Sequence, residues 1–196
     1  MTEPGGHDDR SDAELVDACN AGDAGAFEQL YRRHRDWAVR VAYRFTGERE
    51  GALDVMQEAF AYLLTRFPGF RLTAALPSFL YVVLKHAALS RKRRQRREVP
   101  ADGASDTPEP HAAHNSGAHD EASRRLGAAV ERLPDGQREV LLMRVVDGMT
   151  TAEIAGALSV RPGTVKSRLH HALAALRADP DARGYFTSED VFEAPY

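Results

Sequence analysis

Only one cysteine, Cys19, occurs among the 196 residues. A lone cysteine excludes an internal disulfide and fits a reducing, cytoplasmic setting, where its plain role is that of a small buried apolar residue. No apolar run approaches the ~20 residues that a bilayer span requires, so no membrane insertion is expected. The opening segment MTEPGGHDDR is polar and acidic, unlike a secretory leader, and reads as disordered. No strand-length alternation of apolar and polar residues is present. Neither is a glycine-rich phosphate loop, nor a Ser/His/Asp or Cys/His grouping in a recognisable local context. The sequence thus offers no sheet, no catalytic centre and no cofactor site. His111, His114 and His119 lack cysteine neighbours and a fixed scaffold, which argues against a metal site.

The formal net charge of −3 is small, but its distribution is not even. Residues 1–25 carry one Arg against seven acids, and residues 98–123 carry six acids with no Lys or Arg. Between them, residues 26–97 hold fifteen bases against six acids. Residues 124–177 hold nine bases against five acids, and the tail from 178 is acidic again. Local charge, not the total, sets attraction to a polyanion. Two separate basic segments are therefore candidates for phosphate contact.

The chain is organised around Thr150–Leu176, TTAEIAGALSVRPGTVKSRLHHALAAL. Thr150 with Glu153 forms a capping box that starts a helix, and Ile154, Ala155 and Leu158 supply its apolar stripe. Ser159-Val160-Arg161 leaves room only for a turn. Pro162 suits the first position of a second helix, because its missing N–H has no partner there anyway. Val165, Leu169, Leu173 and Leu176 recur at helical spacing and face inward. Arg161, Thr164, Lys166, Ser167, Arg168 and His171 lie on the turn or the polar side. This is the pattern of a helix-turn-helix whose second helix reaches phosphates and base edges in the major groove, set against the plainer possibility of a solvated helical hairpin.

Further upstream, Ser11 with Glu14 predicts a capped helix to about Ala21, and Asp23 caps the next. Phe27, Leu30, Tyr31, His34, Ala38, Val41, Ala42 and Phe45 keep helical spacing up to Gly47, with His34 placed in the core. A third helix is expected over about 48–67, with Leu53, Met56, Ala59, Phe60, Leu63, Leu64 and Phe67 inward. Its Asp54, Gln57 and Glu58 form an acidic-amide patch with no Lys or Arg on the same face. After Pro68 and Gly69 comes a loop, and Pro77 can open a fourth helix. That helix starts with Phe79, Leu80, Tyr81, Val83 and Leu84 and ends in RKRRQRR, six bases in seven residues. Helix is expected again over about Ser123–Arg132 and Asp135–Asp147. Ahead of these, residues 98–121 hold no Leu, Ile, Phe or Met, which reads as a linker. The expected protein is all-α, with two small helical domains on a flexible linker. Its segments are a disordered start (1–10), a first domain (11–97), an acidic linker (98–122), a second domain (123–177) and a tail (178–196). In the tail, Tyr185, Phe186, Val191 and Phe192 could dock on the chain itself or on a partner.

Two motifs resemble one family. DVMQEAF (Asp54–Phe60) and FLYVVLKHAALSRKRR (Phe79–Arg94) are similar to conserved region two of bacterial RNA polymerase sigma factors of the extracytoplasmic-function (ECF) type. Leu133–Arg177, including GTVKSRLHHA, resembles region four of the same family, in the same order along the chain. The resemblance implies a non-enzymatic protein without a cofactor that binds core RNA polymerase and promoter DNA and is commonly held by an anti-sigma factor. It implies polymerase binding by Asp54, Gln57 and Glu58. It places Phe70, Arg71, Ser78, Lys85, His86, Arg91, Arg93 and Arg94 at the minus-ten DNA, with the loop from Phe70 to Ser78 receiving an unstacked base. It assigns Arg161, Thr164, Lys166, Ser167, Arg168 and His171 to the minus-thirty-five element. The family commonly has Trp, Arg, Asn and Asp where Phe79, Val82, His86 and Ser90 stand here, which implies an altered promoter sequence. Arg161 stands where a capping Ser is usual. A polymerase-independent helix-turn-helix regulator and a non-initiating sigma-like decoy are the alternatives.

Overall fold

In the computed structural model, residues 9–98, 117–182 and 185 are described. Among them the ordered elements are helical, and no strand is formed. They fall into two units, one containing α1 (Asp12–Asn20), α2 (Ala24–Thr46), α3 (Arg49–Leu64) and α4 (Leu76–Glu98), the other α5 (Gly117–Glu131), α6 (Asp135–Val145), α7 (Thr151–Leu158) and α8 (Pro162–Ala178).

In the first unit, local chemistry sets the helix ends. The Glu14 backbone N–H donates to the Ser11 hydroxyl, while the Ser11 N–H donates to the Glu14 carboxylate at 2.6 Å, completing the capping box of α1. Asp23 accepts from the N–H groups of Gly25 and Ala26 to start α2, and Gly47, at φ 76°, ends it in the left-handed region. Helix α2 packs on α1, α3 and α4, and α3 packs on α4. Leu15, Leu30, Val41, Ala42, Met56, Phe60, Leu63, Leu80, Tyr81 and Leu84 are buried between them. The inward face of α3 is narrower than expected. Leu53 and Leu64, both read as core positions, stay 37% and 52% exposed, because Val55, Met56, Ala59, Phe60 and Leu63 already fill the contact with α2.

His34 is buried as expected, and its Nε2 lies 2.8 Å from Oδ2 of Asp12, which also takes Arg33 at 2.7 Å. Burial alone would raise the Asp12 carboxyl pKa. The hydrogen bond and charge of His34, with those of Arg33, outweigh it and hold the carboxyl below its ordinary value. A depressed folded-state pKa means that this contribution is fully present above the unfolded value of about 4 and is lost as the pH falls through the folded value. Asp12→Asn is therefore expected to lower the thermal midpoint near neutral pH and to shrink the further drop on acidification below about pH 4. Circular-dichroism melts of both proteins at pH 6 and pH 3 measure this directly. An equal acid-induced drop in the two would assign the acid sensitivity to other carboxylates.

In the second unit, α8 packs on α6 and α7. Leu133, Leu141, Ala172, Leu173 and Leu176 form a cluster joined by Ala129 of α5 and by Ala182, which follows α8. The start of the tail is thus part of this unit. Arg132 ties it down, pairing with Asp179 at 2.7 Å and Asp181 at 3.0 Å. Helix α5 starts at Gly117, six residues ahead of the expected Ser123. Glu121 pairs with Arg124 and Arg125, one turn on, which supports helix in a segment read as linker. In α6, Met143 is fully buried, while Val145 and Val146 are more than half exposed at its end. Of the tail's apolar residues, Tyr185 is exposed, and Phe186, Val191 and Phe192 lie outside the described residues, as do His111 and His114, while His119 falls within α5.

Candidate nucleic-acid interface

The acidic-amide patch lies on the outer face of α3. Asp54, Gln57 and Glu58 are all exposed, since helical spacing sets them opposite Val55, Met56 and Ala59. The expectation that the patch has no basic partner is corrected by the tertiary structure. Arg91 of α4 donates to Asp54 at 2.7 Å and to Glu48 at 3.3 Å, and Arg94 stands 3.7 Å from Glu58. Gly51 makes this possible. A Cβ there would lie 3.1 Å from Arg91 Nε and 2.8 Å from Glu48 Oε1, so the missing side chain lets both side chains lie close over α3 in this arrangement. Arg91 is accordingly only 26% exposed in its side chain, whereas Arg93 and Arg94 are open to solvent. The carboxylates remain about half exposed even so.

Between α3 and α4 lies a cavity of about 370 Å³ lined by Glu58, Tyr62, Phe79, Val82, Val83, His86, Ala87 and Ser90. The four positions of the first unit at which the resemblance implies a departure from the family pattern, Phe79, Val82, His86 and Ser90, thus share one cavity. Tyr62 and Phe79 stack across it with ring planes 13° apart, and Arg66 caps Tyr62 at 4.4 Å. His86 is exposed at the rim, and Lys85 is half-buried beside it. An aromatic wall with a carboxylate, an imidazole and a hydroxyl can stack a planar group and hydrogen-bond its edge.

The loop between α3 and α4 is held against this wall. Phe70 packs on Phe79 at 4.8 Å and on Phe67 at 5.7 Å, and Phe67 packs on Phe27. Arg71 is exposed next to it. Ser78, which the resemblance implies at the DNA, is buried. It is 2% exposed, in the first turn of α4, where Leu76, Leu80 and Tyr81 enter the core. A residue missed in the sequence is Asn20, at the end of α1. Its side chain accepts from the Gly69 and Phe70 N–H groups and donates to the Phe70 carbonyl. Forty-nine residues separate Asn20 from Gly69, so no local pattern could have signalled it.

In the second unit, the expected helix-turn-helix is formed by α7 and α8. The Thr150–Glu153 capping box is present, and Ser159 ends α7 at φ 53°, a left-handed conformation that turns the chain in three residues. Pro162 opens α8, and Arg161 provides no side-chain cap. Val165, Ala172, Leu173 and Leu176 are buried, with Leu169 partly so. Arg161, Lys166, Ser167 and His171 are exposed, and Thr164 is half-buried. Arg168 does not stand free. Its guanidinium lies across the first turn of α6, where a Cβ on Gly136 would be 3.3 Å from Cζ. The turn and first two turns of α8 still gather two exposed cations, Arg161 and Lys166, with the hydroxyls of exposed Ser167 and half-buried Thr164.

Arg161→Ser tests what the missing cap exchanges. It is expected to stabilise the second unit by about 0.5–2 kcal/mol, because a serine hydroxyl satisfies a free N–H of the first turn. It is expected to reduce the salt dependence of DNA binding by roughly one counterion if Arg161 meets a phosphate. Chemical denaturation and a salt titration of promoter binding measure the two effects, and a variant that is stabilised with an unchanged salt slope would take Arg161 off the DNA.

Among the described residues no helix is long and apolar enough to cross a membrane. Comparison with known proteins gives the same two-part division. A Sigma-70 region 2 profile matches residues 30–98, and a Sigma-70 region 4 profile matches residues 123–176. The ECF RNA polymerase sigma factor SigM of Mycobacterium tuberculosis is 36% identical over 172 residues, covering 88% of this chain and 86% of that protein. Among solved structures, CnrH in complex with the cytosolic domain of CnrY has a TM-score of 0.61 at 22% identity, covering 86% of this chain and 96% of that one. The sigma factor RpoE of Bartonella quintana, in complex with the anti-sigma factor NepR, has a TM-score of 0.52 at 20% identity, covering 78% and 94%. An exposed acidic face on one helical unit, a helix-turn-helix on the other and a relative of this identity over nearly the whole chain lead to one conclusion: the chain belongs to the ECF family of RNA polymerase sigma factors.

Proposed function

We propose that this chain is a promoter-directing initiation subunit. It binds core RNA polymerase through Asp54, Gln57 and Glu58, takes the minus-ten element on the loop and outer face of α4, and reads the minus-thirty-five element with α8. It performs no bond-making chemistry and acts in the cytoplasm, where polymerase and chromosome are found. The observation that carries the reading is the occurrence of both family regions, in order, on two separate helical units. Two weak DNA contacts on a tether gain effective concentration only when a third body fixes their spacing. The free protein is therefore expected to bind promoters poorly, and the holoenzyme well. Opening DNA requires unstacking a base, which costs a few kcal/mol and has to be offset by an aromatic and polar receptor such as the one beside Phe70 and Phe79. An anti-sigma factor is a further partner, as two structural neighbours are held by other proteins.

Run-off transcription with purified core RNA polymerase on pooled genomic fragments tests this. Transcripts that appear only with this chain are expected. Core binding without transcripts would make it a decoy, and tight sequence-specific DNA binding without polymerase would make it a conventional regulator.

A further inference from the structure

We propose that Asn20 is a positioning residue for minus-ten recognition, holding the Gly69–Phe70 backbone so that Phe70 and Arg71 meet the opened strand in one fixed arrangement. This rests on the reading above that the loop between α3 and α4 receives an unpaired base.

The geometry is specific. One side-chain amide makes three hydrogen bonds to two consecutive residues: Gly69 N–H to Oδ1 at 2.7 Å, Phe70 N–H to Oδ1 at 3.0 Å, and Nδ2 to the Phe70 carbonyl at 2.8 Å. The amide thus stands in for the peptide edge of a neighbouring strand in a loop that has none. Asn20 is itself held from both sides. The turn after it is closed by the Ala21 N–H to Asp17, the Gly22 N–H to Cys19 and the Asp23 N–H to Ala18, and the Cys19 side chain beside it is buried. On the loop side, Gly69 takes φ 104°, a backbone conformation open to glycine. The Phe70 ring then rests on Phe67 and Phe79. The loop contributes no regular backbone pairing between Phe67 and Ala75, so the amide supplies what α3 and α4 do not. A receptor for an unstacked base must be pre-ordered, because every rotamer frozen on binding subtracts from the affinity and from the discrimination between bases.

The test uses full-length protein with core RNA polymerase. The template is a fragment that the wild-type holoenzyme transcribes, with its minus-ten segment randomised, and transcripts are sequenced to give the base preference at each position. Asn20→Ala is expected to keep its helicity and its affinity for core polymerase within twofold. The strongest base preference in the minus-ten segment is expected to fall roughly tenfold, the scale of losing several hydrogen bonds of modest net worth. Asn20→Asp keeps an acceptor for the two N–H groups but sets a second carboxylate oxygen against the Phe70 carbonyl in place of the donor, so a fall comparable with that of the alanine variant is expected, and this variant decides the matter should the alanine protein fail to fold. A uniform loss of transcription across the library, with base preference intact, would reduce Asn20 to a structural role and overturn the proposal, as would no change at all. An absence of any minus-ten preference in the wild-type holoenzyme would overturn the reading of the loop itself, and that outcome is visible with the wild-type protein alone.

Discussion

Replacing Asp54 and Glu58 together by alanine is expected to weaken binding to core RNA polymerase by roughly ten- to a hundredfold, about 1.4–2.7 kcal/mol. Both carboxylates are about half exposed on α3, and their backbone is held rigid by Val55, Met56 and Ala59 in the core. A charged partner that meets them buries them, and truncating one side of such a contact leaves the other side unpaired. The Arg91 bridge complicates the simple reading, because Asp54 also ties α4 to α3. Arg91→Ala separates the two effects. If Asp54 acts by touching polymerase, removing its internal competitor should leave core affinity unchanged or higher. If Asp54 acts only by bracing α4, Arg91→Ala should reproduce the loss. Fluorescence anisotropy of labelled protein against core polymerase, with helicity checked by circular dichroism, distinguishes them. Exposed ion pairs of this kind are worth about 0–1 kcal/mol, so the bracing effect is the smaller of the two.

Lys166→Ala and Arg168→Ala are each expected to lower transcription from a promoter with an intact minus-thirty-five element by roughly 5- to 150-fold if they bond base edges, about 1–3 kcal/mol apiece. They are expected to differ in kind. Lys166 is exposed on the outer face of α8, so its removal acts on DNA alone. Arg168 rests on Gly136, and its removal also takes packing from the contact between α6 and α8. Arg168→Ala should therefore lower the stability of the second unit as well, whereas Lys166→Ala should not. A loss that is uniform across base substitutions, with a salt slope shallower by about one, would assign either residue to phosphate. Unchanged transcription for both variants would remove α8 from promoter recognition.

What could be read in the chain was local. Ser11 with Glu14 and Thr150 with Glu153 cap helices because both partners lie within one turn, so spacing alone specifies the bond. Gly47, Pro162 and the turn at Ser159 act through their own backbone torsions. The outward position of Asp54, Gln57 and Glu58 follows from the 3.6-residue period, as does the inward position of Leu30 and Leu173. Composition alone separates two basic bodies from acidic surroundings.

What needed the tertiary structure were contacts between residues far apart in the chain. Arg91 reaches Asp54 across 37 residues, lying close over α3 where Gly51 has no side chain. Ser78 is buried and Leu64 exposed because the packing of α2, α3 and α4 decides which edge of each apolar stripe is covered, and periodicity marks the stripe but not its width. The clustering of Phe79, Val82, His86 and Ser90 with Tyr62 and Glu58 requires two helices to meet. The grip of Asn20 on Gly69 and Phe70 likewise depends on where α1 ends in space. The amino-acid sequence by itself determined the helices, the division of charge and the family. The close approach of side chains from different helices decided which surface residues are free to meet polymerase and DNA, since a side chain already satisfied within the fold must first give up that partner.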